Sequence, residues 1–139
     1  MKFLTASAAA LAAMAACAAP ASAQNRAELQ LTARTDDGGA AASCLIATTL
    51  RNVGDTRISS FGAEIAATHT QTGAALTVPV AMIPFTGVQP GETKEWTALA
   101  VSGARCDQVR LRVTRVTCVR RCAAVSWRQD GLAALETPQ

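Results

Sequence analysis

Tyrosine is absent from this chain, and its aromatic residues are three phenylalanines and two tryptophans. There is one histidine, His69, and beyond the N-terminal leader one lysine, Lys94. Each shortage removes a class of chemistry. A single imidazole with no Cys-x-x-Cys leaves too few ligands for a zinc or copper centre. His69 with Met82, or with a thiol, is the soft copper site the chain could offer, but a histidine half-buried at a strand end accounts for His69 without a metal. Ser43, Ser59, Ser60 and Ser126 lack the strand-turn-helix setting of a nucleophile elbow. No glycine-rich loop leads from a strand into a helix, so a phosphate loop is excluded. Asp36, Asp37, Asp55, Glu92 and Asp107 fall in turns, where they cap the backbone. No catalytic residue, metal or cofactor is therefore expected.

What is present begins with a leader. Met1 and Lys2 precede an Ala-rich apolar run that ends at Ala21-Ser22-Ala23. A positive start, a short hydrophobic segment and an Ala-x-Ala exit describe a secretory signal peptide over residues 1–23. The segment 11–17 also resembles a lipobox ending at Cys17, although Met14 stands where such motifs usually carry leucine. The Ala-x-Ala site is preferred, and Cys17 then belongs to the discarded leader. The mature chain, residues 24–139, is expected to be periplasmic or secreted, in a compartment where thiols pair. It holds enough residues for one domain and no long apolar run, so no transmembrane segment is expected.

Period-two alternation runs through the mature chain. Leu29, Leu31 and Ala33 make a first inward row, and Cys44, Ile46, Thr48 and Leu50 a second, which ends at the turn Asn52-Val53-Gly54-Asp55. Phe61, Ala63, Ile65, Ala67 and His69 form a third. Leu76 and Val78 start a segment that Pro79 and Pro84 confine to an edge or to irregular structure. After the turn at Val88-Gln89-Pro90-Gly91-Glu92, the residues Lys94, Trp96, Ala98 and Ala100 share one parity, with Trp96 as the expected core anchor. Val109, Leu111 and Val113 give another row. Val116 and Cys118 then change parity, which predicts a bulge at Thr114 or Arg115. Val125 and Trp127 close the series, and the tail from about residue 130 is expected to fray. About seven short strands at this spacing predict an all-β antiparallel sandwich of immunoglobulin-like type.

The strand running into Asn52-Val53-Gly54-Asp55 and the Pro90-Gly91-Glu92-Thr93 turn with Trp96 beyond it are similar to the immunoglobulin-like modules of bacterial envelope and secreted proteins, including the FxLYD type. The similarity covers about residues 42–118. The Phe-x-Leu-Tyr-Asp run itself is missing. The resemblance implies an architecture and an envelope or secreted setting, and no catalytic residue.

Four mature cysteines allow three pairings, among which spacing does not choose. In an immunoglobulin-like sandwich the second and sixth strands run the same way in facing sheets. Cys44 and Cys106, at their starts, are then expected to pair, leaving Cys118 with Cys122 across a tight connection. The alternative, a redox pair at Cys118 and Cys122 activated by Arg120 and Arg121, has a three-residue spacer instead of two and no βαβ context.

Charge is uneven. Residues 105–128 carry seven arginines against Asp107, net +6, whereas the rest of the mature chain is net −4. Arg110 and Arg112 are expected side by side on one strand's exposed face, with Arg120 and Arg121 on the adjoining turn. Arginine forks suit carboxylates, phosphates and sulfates. The expected function is noncovalent binding of an acidic protein or an anionic envelope component through this strand and turn. Two alternatives are a thiol-active or metal-handling accessory protein using Cys118 and Cys122, and an inhibitor of an extracellular hydrolase that plugs an acidic cleft with the disulfide-braced turn. Nucleic acid is not expected, because no aromatics interleave the arginines for base stacking.

Overall fold

The computed structural model describes residues 24–120 and 122–139. Residues 1–23, Cys17 among them, and Arg121 lie outside the described residues. Nine strands form in chain order: β1 (Asn25–Asp36), β2 (Ser43–Asn52), β3 (Ile58–His69), β4 (Ala75–Leu76), β5 (Met82–Val88), β6 (Thr93–Ser102), β7 (Val109–Cys118), β8 (Cys122–Asp130) and β9 (Ala134–Glu136). One turn of 3-10 helix, Cys106–Gln108, precedes β7. The first sheet has the order β6-β2-β1-β8 and the second β4-β3-β7-β9, with β5 beside β4 on the same edge of β3. The chain is thus an all-β, two-sheet sandwich. Seven long strands carry it, and the pairings are antiparallel except β1 with β8 and β7 with β9.

Alternation decides which face each strand buries. Leu29 and Leu31 of β1, Ile46 and Leu50 of β2, Phe61 of β3, Ile83 of β5 and Leu111 of β7 meet between the sheets with their backbone neighbours turned outward. Among the aromatics Phe61 is deepest. Trp127 packs against it from the flank at 6.4 Å between ring centroids.

The phase change in β7 falls where alternation predicts it. Glu64 is opposite Arg115 and Ile65 opposite Val113, leaving Thr114 as the extra residue. A second bulge, in β6, overturns the expected row there. Ile46 faces Leu99 while Thr48 faces Trp96, so two residues of β6 span one of β2. Leu99 and Val101 are therefore buried where Ala98 and Ala100 were expected, and Trp96 is half-buried instead of anchoring the core. The physical reason is area: turning leucine and valine inward buries more apolar surface than turning in two alanines, at roughly 25 cal/mol per Å².

The tail also departs from expectation. Gly131 takes φ +87°, and a Cβ there would sit 2.4 Å from the Ala33 carbonyl oxygen, so only glycine makes this turn unstrained. Leu132 then buries to 7% exposure, the Ala133 N–H donates to the Cys106 carbonyl at 3.1 Å, and β9 joins β7. Contacts with distant strands hold a segment too short to show a period of its own.

Candidate functional site

The sandwich has two ends. At the upper end β1 passes to β2, and Cys44 is bonded to Cys106 with S–S 2.11 Å. Both cysteines are buried, and the Cys106 N–H donates to Thr35 Oγ1 at 3.0 Å. Arg105 beside them is held by Asp37, its Nη1 reaching both carboxylate oxygens at 2.7 and 2.8 Å. This end is a structural staple.

At the lower end Cys118 is bonded to Cys122 with S–S 2.00 Å. The Val119 N–H donates to the Ser60 carbonyl at 3.0 Å, which ties the turn to β3. Arg120 follows in the left-handed region, φ 65°, the one non-glycine residue there among the described residues. It is exposed, and in the chain it lies between the two bonded cysteines.

The structure separates Arg110 and Arg112 from Arg120; Arg121, expected to act with them, lies outside the described residues. Arg110 and Arg112 do stand side by side on the exposed face of β7, but Glu136 of β9 lies between them. Its two oxygens are 3.4 Å from the Nε of Arg110 and 3.4 Å from that of Arg112. Arg115 is taken by Glu64. Such exposed pairs contribute about 0–1 kcal/mol each to stability. Their larger consequence is that these forks already hold a carboxylate. Arg120 forms no ion pair among the described residues. A nearby Arg57, in the turn before β3, forms none either, and sequence reasoning missed it because a lone arginine in a turn carries no pattern. Arg57 and Arg120 open on one pocket of about 510 Å³ with the hydroxyl-bearing Thr56 and Ser59. Gly87 makes room for the first of them: a Cβ at that position would lie 2.9 Å from Arg57 Nη2.

Asn52, fully buried, organises this end. Its Nδ2 donates to the carbonyls of Thr56 at 2.8 Å and Val88 at 2.9 Å, and its Oδ1 accepts the Gly54 N–H at 3.0 Å. Its backbone N–H donates to the Glu92 carbonyl and its own carbonyl accepts the Gly91 N–H. The Asn52-Val53-Gly54-Asp55 turn and the Pro90-Gly91-Glu92 turn, separated by some forty positions of chain, are therefore one joint. Thr56, part of the same turn, donates its hydroxyl to Asn25 Oδ1.

His69 ends β3 at the upper end, half-buried, with Nδ1 accepting the Gln71 N–H at 3.2 Å. Met82 lies opposite Glu64, five positions back along the same strand, or roughly 16 Å at strand rise. The two do not meet. Among the described residues no three His, Cys, Asp or Glu side chains are grouped to hold a metal ion, and no helix is long and apolar enough to cross a membrane. Comparison with known proteins returns no matching family model, no matching curated protein and no matching solved structure.

Proposed function

We propose that the mature chain is an exported, periplasmic or secreted, immunoglobulin-like module that works by noncovalent binding, meeting an acidic protein or anionic envelope component through its lower end. The observation that carries this reading is the pocket at Arg57 and Arg120, two guanidinium groups without a carboxylate partner among the described residues, beside the hydroxyl-bearing Thr56 and Ser59. Guanidinium forks favour oxyanions, and pre-placing two of them lowers the ordering cost of capture. Arg110 and Arg112 are assigned a smaller part, since Glu136 already occupies them. Export is supported by the leader pattern, by two disulfides, which persist in oxidising compartments, and by β1 starting at Asn25, two residues past Ala23. The immunoglobulin-like assignment is supported by β1, β2 and β6 sharing one sheet while β3, β5 and β7 share the other.

Retention on a heparin column tests it. Arg57→Ser/Arg120→Ser and Arg110→Ser/Arg112→Ser each remove two charges, so a difference between them reports place and not net charge. The first variant is expected to elute at clearly lower salt than the second. Equal elution of the two refutes a contact surface at the lower end.

A further inference from the structure

Removal of residues 1–23 would leave Gln24 as the first residue, and the fold already grips it. The Gln24 N–H donates to Asp55 Oδ1 at 2.7 Å, and the Gln24 carbonyl accepts the Asp55 N–H at 3.3 Å. Two residues along, the Arg26 carbonyl accepts the Val53 N–H at 3.0 Å. Gly54 lies so close to this segment that a Cβ there would sit 2.2 Å from the Gln24 carbonyl oxygen and 2.7 Å from the Arg26 nitrogen. The turn 52–55, fixed by the buried Asn52, is thus clasped onto residues 24–26.

Within that clasp the carboxylate of Asp55 is directed at one nitrogen. The Gly54 N–H is satisfied by Asn52 Oδ1, so Asp55 is not used to cap its own turn. Asp55 is exposed and forms no ion pair among the described residues. In the uncut chain it receives a neutral peptide N–H. After a cut between Ala23 and Gln24 the same nitrogen belongs to an α-ammonium group, and the bond becomes a charge-assisted one between opposite charges.

An amino-terminal glutamine has one reaction of its own. The lone pair of the neutral α-amine attacks the side-chain carbonyl carbon Cδ, the N–Cδ bond forms and the Cδ–Nε2 bond breaks. The amide nitrogen leaves as ammonia with the proton that the amine gives up, so no co-reactant is needed. The product, pyroglutamate, has lost the cationic amine. Only the unprotonated amine reacts, and a carboxylate beside it favours the protonated form.

We propose that Asp55 is a seat for the α-ammonium group that leader removal creates at Gln24, and that this ion pair keeps the mature amino terminus open-chain. This rests on the exported reading above for the cut after Ala23 and takes nothing from the arginine surface. Gln24 also lines the pocket of Arg57 and Arg120. Those two cations disfavour an ammonium group, but both are exposed and screened by solvent, whereas the carboxylate touches the nitrogen and decides.

The test uses the full chain, expressed with its leader in a bacterial host and recovered from the periplasm, beside Asp55→Asn, which keeps the acceptor oxygen and removes the charge. Intact mass reads both the cut and the ring closure, the latter as loss of one ammonia. Wild type is expected to begin at an open-chain Gln24 and, at about pH 7, to cyclise about two- to fivefold more slowly than Asp55→Asn, the range of an exposed ion pair. Asp55→Glu, which restores the charge, is expected to return the slower rate. The ratio of wild type to Asp55→Asn is expected to reach about one near pH 10, where both amines are unprotonated. It is also expected to reach about one in denaturing urea, where residues 24 and 55 are apart. A merely structural role for Asp55 would give a ratio that does not change with pH. Equal rates at about pH 7, or a ratio that persists near pH 10 or in urea, overturns the seat and leaves the cut in place. Wild type that closes the ring as fast folded as in urea overturns it without any variant. A chain that begins elsewhere than Gln24 overturns the seat together with the cut on which it rests.

Discussion

Replacing Asn52 by alanine is expected to destabilise the folded chain by about 3–5 kcal/mol. The side chain makes three hydrogen bonds, and their loss is unequal. The Thr56 carbonyl and the Gly54 N–H are partly exposed, so water replaces Asn52 at both and each loss costs about 1 kcal/mol. The Val88 bond is buried; an orphaned carbonyl there costs about 1–3 kcal/mol. A domain of this size has roughly 5–15 kcal/mol in total, so the variant loses a large share of its stability. Urea unfolding of the oxidised protein, followed by tryptophan fluorescence, measures it as a shift of midpoint at constant slope. Asn52→Asp keeps an acceptor for Gly54 but turns a carboxylate oxygen toward two carbonyls, and is expected to cost at least as much as alanine. A loss below about 1 kcal/mol for Asn52→Ala at unchanged slope refutes the claim that this residue joins the two turns.

The bridges and one buried hydroxyl give further expectations. Cys44→Ala/Cys106→Ala, which opens a loop of sequence separation 62, is expected to cost about 4 kcal/mol on loop-closure arithmetic, against about 2 kcal/mol for Cys118→Ala/Cys122→Ala with separation 4. Urea midpoints of the two variants check the ranking, and a reversed order refutes it. Thr48 is fully buried opposite Trp96 and its hydroxyl finds no hydrogen-bond partner among the described residues. Thr48→Val is therefore expected to be neutral or to stabilise by up to about 1 kcal/mol, because it removes an unsatisfied polar group at nearly constant volume. A clear loss of thermal stability in that variant speaks against an unpaired hydroxyl.

Much of the architecture is legible along the chain, and the misses share a cause. Leu29 and Leu31, or Val109, Leu111 and Val113, alternate with polar residues strongly enough that period two states their inward face. The Thr114 bulge is legible for the same reason, since large apolar residues flank it on opposite parities. The β6 bulge is hidden because Ala98 and Ala100 read as apolar on the wrong parity, while Leu99 and Val101 supply the area that decides. β9 has three residues and no period, so its pairing with β7 is invisible until both are placed. The candidate site suffered most from that omission. Glu136 stands twenty-four positions after Arg112, yet it closes on both strand arginines and shifts attention to Arg120 and Arg57.

Alternation and turn chemistry are local, carried by neighbouring residues, and they alone determined that this chain is built of strands, where most of them turn, and, outside β6, which faces the long strands bury. Which strands pair, and what their edges leave uncovered, depends on contacts between residues far apart in the chain. Only the tertiary structure placed Gly91 and Glu92 against Asn52, Glu136 between two arginines, and β7 and β8 in separate sheets with a groove between them. The physical reason is that backbone hydrogen bonding is blind to side-chain identity: an N–H pairs with whichever carbonyl the packed core brings to it.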